Sequence, residues 1–512
     1  MLGHYSRAFF FHQSVDNSYK LCRISLSTLQ IRFYSRLAMS KTNEKTDSNY
    51  DYDYFVIGGG SGGVRSSRIA AQHGARVALA EDKKLGGTCV NVGCVPKKLF
   101  CYASHFRELF HDAHSYGWPK IDMNYNDHNW KQFIENKNAE IQRLNNAYEK
   151  TQKDNNVEII KGHATLKNQN TVIVNNKEYT SKYILLAVGG HPIVPNIQGR
   201  EHIITSDDAF FLEKLPKNIL IVGGGYIATE FACIFNGFGC DVTLILRGKT
   251  ILRSFDEDVQ AKLTEELKKS GIHLRYETEV ERIEKLSDDS YSVKFKNDTK
   301  TINTNLVMFA IGRQPSTQNI GLEKIGVKIN EKSIIEVDDY SQTNISNIYA
   351  VGDCTDRKAL TPVAIQEGHY LANMLFSNEQ PRKVDYDTVG TTVFSEPAIG
   401  TCGLTEQQAK EKYGSDGYDV YESTFKPMFA QLPKRDRKSY VKLIVEKNDQ
   451  QRVVGIHLMD HSAPEIIQMC SVAIRAGATK ELFDHSIGIH PTSAEEIVQI
   501  REKRKKKNEE KK

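Results

Sequence analysis

Two cysteines have the spacing and surroundings of a reactive pair. Cys89 and Cys94 lie in the segment GGTCVNVGCVPKK, residues 86–98, where glycines surround them and lysines follow. In a regular α-helix, residues five apart have Cα atoms roughly 8 to 9 Å apart, whereas a disulfide needs less than about 7 Å. If the two are bonded, the segment must be distorted, which the intervening valines and Gly93 permit because they are poor helix formers. The alternatives are two unrelated structural thiols or half of a metal site, but no second cysteine pair or closely spaced histidine accompanies them.

Composition places the chain among ordinary globular proteins. The 512 residues are 39% hydrophobic and 26% charged, and this length suggests roughly three or four domains. The formal net charge of +4 is small for this size and favours neither nucleic acid nor membrane as the main partner. No apolar run approaches the length of a membrane span. Apart from the pair, the cysteines are scattered, so a reducing compartment fits best.

The residues ahead of the cysteine pair contain a dinucleotide-binding pattern. A run of β-formers at 54–57 leads directly into a glycine loop with Gly58, Gly60 and Gly63, and a helical stretch follows. The next predicted strand, 76–80, ends at Glu81, where a carboxylate would meet a ribose hydroxyl. A glycine turn used only for packing is the alternative. The strand and its terminal acid favour a dinucleotide whose pyrophosphate lies on the helix N-terminus.

A second pattern of the same kind follows. A predicted strand at 218–222 leads into Gly223, Gly225 and Ala228. Its second strand, at 241–246, ends in an arginine rather than an acid. Two guanidinium groups at this place would select NADPH over NADH through the 2′-phosphate; the alternative is a pair of solvated surface arginines. The two guanidinium groups belong to Arg247, which directly follows the predicted strand, and to Arg253, six residues further along the chain.

Two dinucleotide patterns with opposite ribose signatures indicate a flavin in the first and a reduced nicotinamide in the second, which gives the cysteines a source of electrons. The predicted strand 348–353 ends in Asp353, which could bind a ribityl chain, and Thr361 begins the next helix. From about residue 387 strands and helices alternate without a nucleotide motif. Near the end, His490 lies at a predicted turn and Glu495 at the start of a helix. A carboxylate-held histidine suits proton transfer to or from a thiol, although the pattern is also that of a helix cap.

The N-terminal 40 residues carry five basic residues against one acid, which is typical of a mitochondrial transit peptide. The sequence RFYS at 32–35 resembles a matrix-protease cleavage site, and Met39 could start a cytoplasmic form. A basic extension without targeting meaning is the alternative. Residues 41–51 form a predicted linker and 504–512 a predicted charged, disordered tail.

The order of these motifs resembles the pyridine nucleotide-disulfide oxidoreductases over about residues 52–503, and most closely the branch that reduces glutathione disulfide. Relatives that act on lipoamide or mercury usually have Pro-Ser-Lys where this chain has Pro-Lys-Lys at 96–98, and animal-type thioredoxin reductases add a cysteine-containing tail. Arg68 matches a ligand for a glutathione carboxylate, whereas trypanothione reductases have acidic or apolar residues in that pocket. A reductase of another disulfide, thioredoxin or trypanothione, and a redox-inert flavoprotein scaffold remain the alternatives.

The resemblance implies an α/β fold with two Rossmann-like dinucleotide-binding domains and a C-terminal α+β dimerisation domain. The implied segments are an FAD-binding domain at 52–190, an NADPH-binding domain at 191–315, a central domain at 316–386 that also contacts FAD, and a dimerisation domain at 387–503. The implied assembly is a homodimer with shared active sites and no metal, nucleic acid or membrane partner. The implied location is the mitochondrial matrix, with a cytoplasmic form possible.

The resemblance also implies a role for each site residue. Cys94 faces the flavin, and Cys89 exchanges with the substrate. His490 of the partner subunit, oriented by Glu495, protonates the leaving thiolate. The implied remaining residues are an ion pair beside the flavin (Lys97, Glu230), a gate over the nicotinamide pocket (Tyr226) and substrate contacts (Arg68, Tyr148, His369). The implied FAD ligands are Gly58, Gly60, Ser61, Gly62, Gly63, Glu81, Thr88, Lys97, Ala164, Gly189, Asp353 and Thr361. The implied NADPH ligands are Gly223, Gly225, Tyr226, Ile227, Ala228, Glu230, Arg247, Arg253, Gly312 and Arg313.

Two positions depart from the family pattern. Val188 occupies a place where many relatives have threonine, which should matter little to flavin binding. His369 occupies a place where the glutathione-reducing branch commonly has an arginine for a substrate carboxylate. The identity of the substrate is therefore less firmly predicted than the redox chemistry.

Overall fold

The structure is a computed structural model that describes residues 49–121, 123, 127–448 and 450–505. The predicted transit peptide, most of the predicted linker and most of the predicted tail lie outside the described residues. None of the helices in the described part combines the length and hydropathy that a bilayer span requires.

The strands and helices alternate along the chain. The strands are β1 (Tyr52–Ile57), β2 (Val77–Glu81), β3 (Val157–Lys161), β4 (Ala164–Asn168), β5 (Thr171–Val174), β6 (Lys177–Leu186), β7 (Gly190–Pro192), β8 (Ile203–Ile204), β9 (Asn218–Val222), β10 (Asp241–Ile245), β11 (His273–Arg275), β12 (Val280–Lys285), β13 (Tyr291–Phe295), β14 (Thr301–Thr304), β15 (Val307–Phe309), β16 (Arg313–Pro315), β17 (Ile348–Ala350), β18 (Thr391–Val393), β19 (Ile399–Gly403), β20 (Tyr418–Phe425), β21 (Ser439–Glu446) and β22 (Val453–Met459). The α-helices are α1 (Ser61–Gln72), α2 (Gly87–Val92), α3 (Cys94–Ala113), α4 (Trp130–Asp154), α5 (Ser206–Ala209), α6 (Tyr226–Gly237), α7 (Glu257–Lys269), α8 (Leu322–Ile325), α9 (Thr361–Phe376), α10 (Glu406–Tyr413), α11 (Ala463–Arg475), α12 (Lys480–His485) and α13 (Glu495–Gln499).

The first nucleotide pattern folds into the sheet order β3-β2-β1-β6, with parallel neighbours, and α1 connects β1 to β2. Strand β1 is buried on both faces: Phe55 and Ile57 enter one core cluster, and Tyr54 and Val56 enter another. Burial on both faces explains why this segment is uniformly apolar rather than alternating. The late strand β17 adds to β6 in parallel, so chain more than 150 residues downstream returns to the first sheet.

The second nucleotide pattern forms a parallel sheet of its own, in the order β11-β10-β9-β15-β8, and α6 connects β9 to β10. The C-terminal sheet is antiparallel, in the order β18-β19-β22-β21-β20, and α11 packs on it. The prediction of two Rossmann-like units followed by an α+β unit is therefore confirmed.

A buried ionic cluster joins the second nucleotide unit to the C-terminal sheet. Lys442 on β21 is 1% exposed, and its ammonium lies 2.8 Å from Asp256 and 2.6 Å from Glu406. Asp256 caps the N-terminus of α7. Because an unpaired buried charge is strongly destabilising, this cluster specifies how α7 meets the sheet.

One predicted element ends earlier than expected. The strand predicted at 348–353 stops at Ala350, and Asp353 lies in a 3-10 helix, Gly352–Thr355. Strand β17 and the turn after it are both short, so the run of apolar residues did not reveal where the backbone turns.

Candidate active site

The cysteine pair lies at a break between two helices. Cys89 is on α2, Cys94 is the first residue of α3, and Gly93 between them leaves the helical conformation with φ −148° and ψ −120°. A Cβ on Gly93 would lie 2.8 Å from the carbonyl oxygen of Thr88, so only glycine fits here. The two cysteines are thiols in this structure, and Cys89 is hydrogen-bonded to Cys94. The distortion that the five-residue spacing requires of a bonded pair is present.

The two thiols have opposite acidities. The hydrogen bond from Cys89, helped by Thr361 and by the charge of Lys97, holds the pKa of Cys94 well below its usual range, although burial opposes this. The same hydrogen bond, together with burial, raises the pKa of Cys89. Thr361 Oγ1 lies 3.5 Å from Cys94 Sγ at the start of α9. Cys94 is therefore the thiolate of the pair, at the N-termini of two helices, where negative charge is favoured.

We expect the hydroxyl of Cys89→Ser to preserve much of this effect and the methyl of Cys89→Ala to remove it. Both variants leave Cys94 without a disulfide partner, but only serine retains a donor. The pH midpoint of Cys94 alkylation by iodoacetamide should lie about one unit higher in Cys89→Ala, as the loss of a charge-assisted hydrogen bond of roughly 1.5 kcal/mol predicts. The direction follows because only the thiolate reacts and a raised pKa moves its formation to higher pH. Equal midpoints in the two variants would contradict the assignment of Cys89 as donor.

A buried ion pair fixes the helix that begins at Cys94. Lys97 Nζ lies 2.9 Å from Glu230 Oε1 on α6, and their side chains are 12% and 4% exposed. The same oxygen accepts a hydrogen bond from the backbone N–H of Phe394 at 2.8 Å, and the ammonium lies 3.8 Å from the centre of the Phe394 ring. The predicted pairing of Lys97 with Glu230 is present, and it connects the cysteine helix to the second nucleotide unit and the C-terminal unit.

A cavity of about 1140 Å³ opens beside the first glycine loop. At Gly63 a Cβ would lie 2.0 Å from the carbonyl oxygen of Gly58, so any side chain at this first turn of α1 would clash with the glycine loop. The helix begins after Gly60 without a side-chain cap, which leaves its first N–H groups available to an anion. The predicted ligands that line the cavity are Gly58, Gly60, Glu81, Thr88, Ala164 and Gly189. A cavity of this size, with a glycine-rich floor and an uncapped helix, fits an extended dinucleotide.

The predicted ribose ligand Glu81 also holds the glycine loop. Its carboxylate accepts hydrogen bonds from the backbone N–H of Gly59 at 2.7 Å and of Lys83 at 2.8 Å. Burial raises its pKa, and these two bonds oppose the rise. Of the other predicted FAD ligands, Ser61, Gly62 and Gly63 form the first turn of α1. Burial also raises the pKa of Asp353, and Lys97, Asp353 and Thr361 are not among the residues that line this cavity.

The second nucleotide site has the same uncapped geometry. Helix α6 begins at Tyr226 after Gly225, where an added Cβ would meet nothing within 4 Å, so the space above the helix is open. Arg247 and Arg253 are exposed, and neither makes a hydrogen bond or ion pair with the described residues. Arg313 is different: its guanidinium lies 3.0 Å from Asp207 and donates to the carbonyl of Gly190 at 2.7 Å. Two of the three predicted arginines are thus free to meet a phosphate, and the third is engaged within the chain. The predicted ligands Ile227 and Ala228 continue α6, and Gly312 precedes β16 with φ +134°.

The predicted substrate residues come from three helices. Arg68 is on α1, Tyr148 on α4 and His369 on α9. The charges of Cys89 and Cys94 act on the hydroxyl of Tyr148, whose pKa is raised first by burial. The charge of Arg68 lowers the pKa of the Tyr148 hydroxyl and also that of His369. Tyr148 is therefore near the cysteine pair and Arg68, and His369 is near Arg68.

The histidine and carboxylate near the C-terminus are paired as predicted. His490 Nδ1 lies 3.0 Å from Glu495 Oε1, and Gln499 donates to the other carboxylate oxygen at 3.0 Å. The side chain of His490 is 80% exposed, whereas that of Glu495 is 10% exposed. The Nε2 atom makes no hydrogen bond within the described residues. A buried carboxylate thus orients a histidine whose other nitrogen faces outward.

One group within the described part of the chain could hold a metal ion: His105, Glu396 and His461. The Glu396 carboxylate is already paired with Arg437 at 2.5 Å, and neither Cys89 nor Cys94 belongs to the group.

Comparisons with known proteins agree with this geometry. The profile described as "Pyridine nucleotide-disulphide oxidoreductase" matches residues 52–368, and that of its dimerisation domain matches residues 389–501. The chain is 45% identical over 455 residues to the glutathione reductase of Burkholderia cepacia, covering 89% of this chain and 99% of the relative. It is 44% identical over 488 residues to the glutathione reductase of Pisum sativum described as chloroplastic/mitochondrial, covering 93% of this chain and 87% of the relative. The glutathione reductase of Nostoc sp. is 43% identical over 464 residues, covering 88% of this chain and 100% of the relative. The chain therefore belongs to the pyridine nucleotide-disulphide oxidoreductase family.

Proposed function

We propose that this protein is an FAD-dependent enzyme that uses NADPH to reduce glutathione disulfide. The observation that carries the proposal is the cysteine pair itself: two thiols at the break between α2 and α3, with Cys94 Sγ 3.5 Å from Thr361 Oγ1, beside two nucleotide-binding units. The names of relatives that are 41% to 45% identical support the substrate. The two uncapped glycine-loop helices support the two cofactors.

The residues of this chain account for the disulfide exchange. Bound FAD would supply two-electron transfer from NADPH, and the Cys89–Cys94 disulfide would be its acceptor in this chain. The thiolate of Cys89 attacks one sulfur of glutathione disulfide, so a mixed disulfide forms and one glutathione thiolate leaves. His490 gives that thiolate its proton. Cys94 then attacks the sulfur of Cys89, which restores the Cys89–Cys94 disulfide and releases the second glutathione as a thiolate that takes a proton from solvent.

Cys89 needs a base to become the attacking thiolate, because its pKa is raised while Cys94 holds the negative charge. His490 is the proposed base, since Glu495 fixes its Nδ1 and leaves Nε2 exposed. Cys94 stays deprotonated next to Lys97 and Thr361 and is ready for the second exchange. The two thiols therefore have separate tasks, with Cys94 toward the flavin and Cys89 toward the substrate.

The cofactor contacts are proposed on the same basis. The N-terminus of α1 would bind the pyrophosphate of FAD, and Glu81 its ribose. The N-terminus of α6 would bind the pyrophosphate of NADPH, with Tyr226 over the nicotinamide pocket. The exposed Arg247 and Arg253 would bind the 2′-phosphate.

The proposed domain limits follow the sheets. The first sheet and its helices correspond to 52–190 with the later addition of 316–386, which supplies β17. The second sheet corresponds to 191–315, and the C-terminal sheet to 387–503.

We propose that two copies of the chain form a homodimer through the C-terminal unit, with each copy lending His490 to the other. Ile487 and Ile489, beside the histidine, are 96% and 75% exposed. Met469 and Val472 on α11 and Leu482 on α12 are also exposed. Apolar side chains gathered on one unit are typical of a surface that a partner covers, and the family match includes a dimerisation domain.

We also propose that residues 1–40 direct the protein to the mitochondrial matrix and that initiation at Met39 gives a cytoplasmic form. The basic, acid-poor composition supports this, as does the chloroplastic/mitochondrial description of one relative. A fluorescent protein fused behind residues 1–40 should enter mitochondria; a diffuse signal would count against targeting.

The function is tested by NADPH consumption with three disulfides assayed in parallel: glutathione disulfide, thioredoxin and trypanothione. We expect clear preference for glutathione disulfide, in a yellow protein that develops a long-wavelength absorption band when reduced by two electrons. Preference for either other disulfide would overturn the substrate. A colourless protein would overturn the redox assignment altogether.

A further inference from the structure

We propose that Arg65 binds a carboxylate of the substrate and is a specificity-determining residue of this chain. The inference rests on the proposed function, because it assigns a new contact within the glutathione-disulfide site. In the sequence Arg65 differs from a surface arginine only in its spacing of three from Arg68. Its role becomes visible only from the helices that surround it.

Arg65 faces the helix that carries His369. Helices α1 and α9 approach so closely that a Cβ on Gly368 would lie 2.5 Å from the carbonyl oxygen of Gly62. Further along, His73 Nε2 lies 3.0 Å from Asn373 Oδ1 across the same contact. Residues that are eight apart share a helix face, as do residues four apart. Arg65 is therefore on the face of α1 that includes His73, opposite the face of α9 that carries His369 and Asn373.

Among the described residues, no carboxylate forms an ion pair with the positive charge at this place. Neither Arg65 nor Arg68 makes a hydrogen bond or ion pair with the described residues, and the Nε atom of Arg68 is buried without a partner. Burial lowers the pKa of Arg65, and the charge of Arg68 lowers it further, whereas Tyr148 opposes the shift. Two half-buried guanidinium groups repel one another, and a bound anion relieves that repulsion.

His369 does not supply the positive charge that an arginine would have at this position. Burial lowers its pKa first, and the charges of Arg65, Arg68 and His73 add to this, while Glu379 acts in the opposite direction. An imidazole with a pKa below its usual range is neutral at pH 7. The positive charges that act on His369 with no ion-pair partner are those of the two arginines, and Arg65 provides the guanidinium that position 369 lacks.

The arginines lie at a suitable place relative to the reacting sulfur. Tyr148 is within electrostatic reach of both thiols and of both arginines, so these groups surround one part of the site. Glutathione disulfide presents its sulfur atoms at the centre and its carboxylates at the ends of two peptide arms. With a sulfur at Cys89, a carboxylate of an arm that passes Tyr148 would meet Arg65 and Arg68, whereas a cationic disulfide would be repelled.

The test is the kinetics of Arg65→Ala with glutathione disulfide. We expect KM to rise about tenfold or more, as loss of a charge-assisted hydrogen bond predicts, with kcat within about twofold because the exchanging thiols are untouched. The KM of Arg65→Lys should lie between that of the wild-type chain and that of Arg65→Ala. Arg143→Ala is the matched control, because Arg143 is an exposed arginine on α4 paired with Glu140, and it should leave KM unchanged.

Two further measurements separate binding from a structural effect. His369→Arg added to Arg65→Ala should restore most of the lost affinity. Glutathione disulfide with all of its carboxylates esterified should show nearly the same KM with the wild-type chain and with Arg65→Ala. NADPH-driven reduction of an artificial electron acceptor should be unchanged, which reports an intact fold.

The outcomes are distinct. An unchanged KM in Arg65→Ala, or a fall in kcat alone, would overturn the role of Arg65 while leaving the proposed function in place. A wild-type chain that oxidises NADPH with another disulfide but not with glutathione disulfide would overturn the proposed function, and the role of Arg65 with it.

Discussion

Cys89→Ser will lose disulfide reduction by a factor on the order of 10³ or more, because serine cannot form the mixed disulfide and the loss of a nucleophile removes the whole covalent route. NADPH will still reduce the flavin, since Cys94, Lys97 and Glu230 keep their positions around α3. Stopped-flow absorbance of the flavin and steady-state NADPH consumption with glutathione disulfide measure the two steps separately. The expected signature is normal flavin reduction with no turnover.

Cys101→Ser is the matched control for this variant. Cys101 is on the same helix as Cys94, its thiol donates to the carbonyl of Phe394 at 3.7 Å, and serine differs from it by a single atom. Burial raises the pKa of Cys101 to about 12, so this thiol is inert at neutral pH. Its replacement should leave turnover within about twofold. Turnover that survives Cys89→Ser would show that another group attacks the substrate.

His490→Gln should lower kcat by roughly 10² to 10⁴, the usual contribution of a positioned acid or base. Glutamine can still reach Glu495, so the turn at 488–494 keeps a polar anchor while the proton carrier is lost. Reduction of the flavin by NADPH should not change. His273→Gln is the control, because His273 is an exposed histidine that lies 3.4 Å from Asp241 and is outside the proposed dimer surface.

A mixed dimer tests whether the histidine acts across the subunit boundary. When Cys89→Ser and His490→Gln chains are co-expressed in equal amounts, random pairing makes about half of the dimers hybrid. If each site combines Cys89 of one copy with His490 of the other, every hybrid has one intact site. The mixture should then regain about one quarter of wild-type activity, although each variant alone is inactive. No recovery in purified hybrids would place both residues in the same chain's site.

Several parts of this enzyme could be predicted because their physical cause is local. Each glycine loop follows an apolar strand and precedes a helix within about 30 residues, so spacing alone located both nucleotide units. The break at Gly93 was expected, since a five-residue cysteine spacing is incompatible with a bonded pair in a regular helix. His490 and Glu495 are five residues apart, and their pairing also depends only on a local turn.

Other features could not be read from neighbouring residues. The bond that places Thr361 at Cys94 joins residues 267 apart in sequence, and the ion pair of Lys97 with Glu230 joins residues 133 apart. Strand β17 adds to the first sheet after the entire second unit has intervened. The engagement of Arg313 with Asp207 and the role of Arg65 depend likewise on which helices meet.

The sequence by itself therefore determined the two nucleotide units, the reactive pair and the family resemblance, because strand, turn and helix preferences act over a few residues. Only the tertiary structure decided which cysteine holds the negative charge and where the positive charge for a substrate lies. Both are electrostatic properties, set by the hydrogen bonds, helix termini and burial that arise when distant segments pack together. Cys89 and Cys94 have the same chemistry in the chain, and the fold makes one a thiolate and the other its proton donor.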